Sequence, residues 1–204
     1  MNNQIEAVVF DVGRVLYRWN LAALFDKLIP DEGERAWFLA NVVTEEWHFQ
    51  HDAGVPLAQM VPELQARFPD HAHLIDAYST RFNETIPGPV AGSLELVARL
   101  DAAGVPLYAI TNFGAEFWAM FRPTAPVFDR FRDIVVSGEE KLAKPDSAIF
   151  HLAARRFGHE PRAMLFIDDN ADNVAAAAAL GWHVHHFAEA SRLERDLAAR
   201  GLLP

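Results

Sequence analysis

Five short apolar runs along this chain each end abruptly at polar residues: AVVFD at 7–11, PLYAITN at 106–112, DIVVSG at 133–138, AMLFIDD at 163–169 and WHVHHF at 182–187. Each run is continuous rather than alternating, which predicts strands buried on both faces of a parallel sheet. The middle three lead into segments of helical character, GAEFWAMF, KPDSAIFHLAARRF and NADNVAAAAALG. Strand followed by helix, repeated, implies right-handed crossovers and helices on both sides of the sheet.

The interval from Arg18 to Ile86 has a different pattern, with no strand-like run. NLAALFDKLIP reads as a helix that starts at an Asn20 cap and stops before Pro30. DEGERAWFLANVV opens on Asp31 with Glu34 three places on, a capping-box start. PLAQMVPELQARF and DHAHLIDAYSTRF read as two more helices, the first distorted by Pro62. An all-helical insert after the first strand predicts a cap lobe standing outside the sheet. A helix closed by Gly104 then leads into the second strand.

Composition narrows the picture modestly. The chain has 204 residues, enough for one domain with an inserted lobe, and a net charge of −10, so a nucleic-acid partner is not expected. It has no cysteine, which excludes disulfides and thiolate chemistry and fits a reducing compartment. MNNQIEAVVF carries no basic flank before its apolar run, and VAAAAALGW covers only half a membrane span. A cytoplasmic protein without a membrane partner is the expectation. Nothing in the chain speaks to its oligomeric state.

Ligands of open parallel sheets bind beyond the carboxyl ends of the strands. There the chain places Asp11, then Thr111 and Asn112, then Lys144 past a loop, then Asp168 and Asp169. Each has an ordinary structural reading: a turn cap for Asp11, loop chemistry for Thr111 and Asn112, a solvated lysine, an acidic helix start. All four stations in order are far more specific than any one. Together they suit a phosphoryl group. A carboxylate approaching a phosphate meets about 4 kcal/mol of repulsion per charge pair at about 4 Å and an effective dielectric near 20. Mg²⁺ takes oxygen ligands and needs only one or two carboxylates, which Asp11 and Asp169 supply. Lys144 offsets remaining phosphate charge, Thr111 donates to a phosphoryl oxygen, and chemistry passes through an aspartyl-phosphate.

These motifs resemble those of the haloacid dehalogenase-like hydrolases over essentially the whole chain. VVFDVGRVL is similar to the first motif, LYAITN to the second, SGEEKLAKPDSAIF to the third and LFIDDNADNVAAAAALG to the fourth. Within the family the resemblance is to α-D-glucose-1-phosphate phosphatase-type sugar-phosphate phosphatases. It implies a Rossmann-like three-layer α/β core from residues 1–17 and 87–204, with residues 18–86 as a C1-type helical cap. It implies Asp11 as nucleophile, Thr111, Asn112 and Lys144 on the phosphate, and Mg²⁺ held by Asp11, the Gly13 carbonyl and Asp169. Asp168 would reach the metal through water or from behind its ligands, and Asn173 would support the loop or the metal site.

Gly13 departs from the pattern, because many phosphatases of this family carry an acid–base aspartate two residues after the nucleophile. Glycine keeps the metal-facing carbonyl and loses a proton-transfer group worth about 10²–10⁴-fold. Either the substrate brings a good leaving group, which we favour, or His48, His51 or Arg14 stands in. Two rival readings remain: a metal-free 2-haloacid dehalogenase, disfavoured by the acid pair in IDDN, and a binding domain without turnover. Arg14, Arg18 and Trp19 are poised between substrate contact and hinge packing. In EEWHFQHDAG, Glu45, Trp47, His48 and His51 read either as substrate-selecting cap residues or as an amphipathic helix end with exposed histidines. His183 and His185 share a strand face but lack further ligands at metal spacing. Trp37, Phe38 and Trp118 read as core, and Ala175–Ala179 as a close helix–sheet contact.

Overall fold

All five apolar runs lie in one sheet. The computed structural model describes residues 5–203, so the first four residues of MNNQIEAVVF, the stretch in which no signal peptide is expected, lie outside the described residues. The strands are β1 (Ala7–Phe10), β4 (Leu107–Thr111), β5 (Asp133–Val136), β6 (Met164–Asp168) and β7 (His183–His186); a two-residue ribbon pairs β2 (Tyr17–Arg18) with β3 (Gly88–Pro89). The main sheet runs β5-β4-β1-β6-β7, every neighbouring pair parallel. Strand order therefore reverses around β1, and the crevice such a reversal opens lies at the end of β1, where Asp11 sits.

Alternation along each strand splits the apolar residues between two layers. Val8 and Phe10 of β1 pack with the insert side, whereas Ala7 and Val9 join the opposite cluster with Ile149, Phe150 and Ala153. Every residue of β1, β4 and β6 is buried. That double burial is why the runs contain no polar interruptions. Ala177, buried in the helix Ala171–Ala179, faces the second cluster, consistent with a small-residue contact on the sheet.

Between β2 and β3 the chain forms α1 (Ala22–Phe25), α2 (Glu32–Asn41), α3 (Glu45–Asp52), α4 (Leu57–Arg67) and α5 (Ala72–Thr80). Two local expectations need correction. The helix predicted from Asn20 is only one turn long. Asn20 Oδ1 accepts from Ala22 N at 3.0 Å, but Lys27 and Leu28 bond three residues back, so the segment tightens into turns. Pro62 lies inside α4, and the carbonyl that its missing N–H leaves unpaired belongs to exposed Ala58. Trp37 is 47% exposed rather than core, whereas Phe38 and Trp118 are buried. Asp31 caps α2 by accepting from Glu34 N, and Gly104, at φ 75°, follows α6 (Ser93–Ala102) as expected.

Candidate active site

The end of β1 delivers Asp11 into a cluster that β4 and β6 complete. Lys144 lies beneath it, 2% exposed, and its ammonium has three partners: Asp11 Oδ1 at 2.8 Å, Asp168 Oδ2 at 2.7 Å and the Ile110 carbonyl at 2.9 Å. Those three acceptors use all three ammonium hydrogens. Asp11 keeps a second oxygen for which no hydrogen bond is found among the described residues. Asp168 is saturated: beyond Lys144 it accepts from Asn170 N at 2.8 Å and from both approaches of the Asn173 amide, 3.1 and 3.2 Å. Asn173 thus braces Asp168, and Asn170 caps the helix that holds them both.

Carboxylate oxygens of Asp11, Asp168 and Asp169 lie within 4.8 Å of one another. Three carboxylates against one ammonium leave two negative charges in a mostly buried volume. Burial pushes the Asp11 carboxyl up to about 7; Lys144 opposes the shift and the neighbouring carboxylates reinforce it. Asp169 is raised for the same first reason, burial, and by Asp168. Lys144 is raised despite its burial, because Asp11 and Asp168 favour its charged form. An all-oxygen donor set short of two positive charges fits a hard divalent cation.

The other expected residues divide. Asn112 is adjacent, but its side chain is committed elsewhere: Oδ1 accepts from Lys144 N and Nδ2 donates to Lys144 O, each at 2.9 Å. Its amide therefore tethers the lysine loop, so a phosphate contact from Asn112 would come from its backbone N–H. Thr111 is buried with a hydroxyl that has no partner among the described residues, and it does not line the cavity above the cluster. Arg14 does line it, with its guanidinium held by Glu45 at 2.9 Å and stacked over Trp19. Gly13 lines it too, and a Cβ built there would meet nothing within 4 Å.

That cavity, about 320 Å³, lies between the strand ends and α3. Thr44 caps α3 by accepting from Trp47 N at 3.0 Å, and the helix carries His48 and Asp52 inward on one face. Both histidines of α3 are buried, which overturns the exposed-helix-end reading. Neither offers a proton to the site. His48 uses Nδ1 on the Tyr78 hydroxyl (2.6 Å) and Nε2 on Asp52 (3.3 Å), and His51, bonded to the Val55 carbonyl, does not line the cavity. Sequence reasoning missed Asp52, whose spacing four after His48 was the available signal, and His186, whose Nε2 contacts the Asp169 carbonyl at 2.9 Å. His185 pairs with Asp196, away from any acidic cluster.

This arrangement defines a class: a Rossmann-like parallel α/β enzyme whose polar groups converge at the carboxyl ends of its strands, beneath an inserted set of helices. A model of the haloacid dehalogenase-like hydrolases matches residues 5–181, and the chain belongs to that family. It is a hydrolase. It is similar to a sesquiterpene phosphatase from Aspergillus oryzae, 25% identical over 89% of each chain. It is also similar to an (S)-2-haloacid dehalogenase from Pseudomonas putida, 26% identical over 88% of this chain and 83% of that one. Among solved structures, a family enzyme from Bacteroides thetaiotaomicron in complex with magnesium and inorganic phosphate superposes with TM-score 0.70, at 22% identity, over 93% of this chain and 98% of that one.

Proposed function

We propose that this hydrolase is a Mg²⁺-dependent phosphomonoesterase acting on a small phosphorylated metabolite, with residues 18–86 as its cap. The observation that carries the reading is the uncompensated charge of Asp11, Asp168 and Asp169 beside a single lysine. Asp11, Asp169 and the Gly13 carbonyl would hold the ion. When bound, Mg²⁺ lowers the repulsion between the nucleophile and the phosphate dianion. The phosphatase among the relatives, and the magnesium and phosphate bound by the structural neighbour, support the same reading.

The residues then have distinct tasks. Asp11, held through one oxygen by Lys144, presents the other to phosphorus. A bond forms from that oxygen to phosphorus as the bond to the alcohol oxygen breaks, giving an aspartyl-phosphate and an alkoxide that takes its proton from water. A second water attacks phosphorus, releasing phosphate and restoring Asp11. Lys144 lowers the charge felt by the incoming group, Asn112 fixes the lysine loop, and Asn173 holds Asp168 on the lysine. The Asn112 backbone N–H is a donor for phosphoryl oxygens, and the Thr111 hydroxyl, buried outside the cavity, becomes a second once its side chain turns toward the bound group.

Phosphate release from acetyl phosphate and p-nitrophenyl phosphate tests the reading. EDTA should abolish it, Mg²⁺ should restore it, and Asp11→Asn should lower kcat on the order of 10³-fold or more. Release that survives both would sink the mechanism. The dehalogenase relative motivates a parallel assay: chloride release from 2-chloropropionate without metal would put that activity in its place. Tight phosphate binding with no turnover of any of these would identify a binding domain.

A further inference from the structure

The cavity wall opposite the acidic cluster is built of rings. Tyr17 and Trp19 from the segment after β1, Phe49 from α3, and Phe82, Phe113 and Phe121 all line it. Apolar surface of this kind gains most by covering apolar surface. Hydroxyl-rich ligands need the reverse, a donor or acceptor for each oxygen. Polar side chains do occur on this side of the cavity, but the buried one, His48, is engaged at both nitrogens, with Tyr78 and Asp52, while Arg14 and Arg18, each with a single contact to Glu45 or to the Pro87 carbonyl (3.3 Å), stand at the exposed rim. A buried hydroxyl left unpaired weakens binding by roughly tenfold to a hundredfold, and a sugar would bring several.

One acceptor in the wall is unsatisfied. Asp52 is 6% exposed and lines the cavity; its Oδ2 meets His48, while its Oδ1 is buried with no partner among the described residues. A buried carboxylate oxygen without a donor is costly, so it marks a place where a ligand completes the protein. Its position is well fixed. The Asp52 carbonyl accepts from Ser137 Oγ at 2.5 Å, and that same Oγ accepts from Phe113 N at 2.9 Å.

Accepting the phosphomonoesterase reading above, we infer that the alcohol released is small and predominantly apolar, with a ring that lies against the aromatic wall, and that it carries one hydrogen-bond donor received by Asp52. A 320 Å³ cavity stands at the low end for small-molecule sites, which sets the size. On this inference the substrate differs from the sugar phosphates that the sequence resemblance implies. Asp52 is a specificity residue here, not a proton donor to the breaking bond.

Substrates matched in leaving group test this: 4-(hydroxymethyl)benzyl phosphate, 4-methylbenzyl phosphate and glucose 6-phosphate, with acetyl phosphate as a probe that needs only the phosphate end. Wild-type kcat/KM should favour both benzyl esters over glucose 6-phosphate by at least tenfold, and the hydroxymethyl ester over the methyl ester by about tenfold. Asp52→Leu should bring the second ratio to one or below. Ratios within one enzyme cancel a general loss of activity or folded fraction. Phe49→Ser, at a 43% exposed position that folding tolerates, should shrink the first ratio severalfold. Glucose 6-phosphate turned over as well as the benzyl esters, with acetyl phosphate active, would overturn the apolar-alcohol inference and leave the phosphatase standing. No hydrolysis of acetyl phosphate would instead remove the phosphatase reading. Equal wild-type rates for the two benzyl esters would overturn the role of Asp52.

Discussion

Gly13 is where a single atom most constrains the chemistry. A Cβ there meets nothing within 4 Å and its backbone is not left-handed, so neither the Cβ contacts nor the backbone opposes Gly13→Asp. That variant should raise kcat about tenfold or more on unactivated alkyl phosphates, whose alkoxide needs a proton, and change p-nitrophenyl phosphate little. Equal effects on both would show that leaving-group protonation does not limit the wild type. Asp11 supplies the pH prediction. Its carboxyl stands at about 7 in the folded protein against 3.8 as its ordinary value, so between these the folded state binds more protons than the unfolded. Stability contributed at low pH is therefore lost as pH rises from about 4 to 7. In EDTA, the wild-type Tm minus that of Asp11→Asn should fall across that window, measured by scanning calorimetry. Saturating Mg²⁺ should flatten the fall, because bound cation favours the carboxylate.

Among the elements, α3 matters most, because it brings both Asp52 and the core contacts to one place. Its carboxyl end is pressed against the loop after β4. A Cβ on Gly114 would overlap the His51 ring, and one on Gly138 would come within 2.5 Å of the Ala115 backbone nitrogen. Gly114→Ala and Gly138→Ala should each destabilise by about 1–3 kcal/mol, as overpacking does, read from urea denaturation. Gly138→Ala should be the worse, since a backbone atom cannot rotate away as an imidazole can. Thr44→Ala removes the cap at the other end of α3 and should cost about 1 kcal/mol. A null effect at Gly138 would mean that the loops after β4 and β5 are not in firm contact.

Across the whole molecule, what the sequence made legible was whatever is repeated or local. Five apolar runs ending in polar residues were enough to recover the strands; double burial explains this for β1, β4 and β6, whereas β5 and β7, at the sheet edges, are only partly buried. Asp11, Lys144 and the Asp168–Asp169 pair were legible because parallel topology sends successive strand ends to one edge. Legibility failed where partners are distant in sequence. Nothing near Asn112 announces that its amide grips the Lys144 backbone, thirty-two residues on. The aromatic wall draws on residues from 17 to 121, too far apart along the chain to read as one surface. Trp37 failed the other way, its helix turning an aromatic side chain outward because the face was set by the neighbours of Phe38.

The fastening of α3 has a mechanical consequence. Its carboxyl end is fixed by the Ser137 hydroxyl and the Gly114 contact, and its first turn is fixed by Trp47 and His48, both buried against Tyr78. The ion pair of Glu45 with Arg14, by contrast, stands largely in water. Exposed ion pairs of this kind hold with about 0–1 kcal/mol, so the two side chains part while the helix stays put. A ligand passing under Glu45 would find Asp52 already in position, and the doorway would be a pair of side chains, not a moving helix.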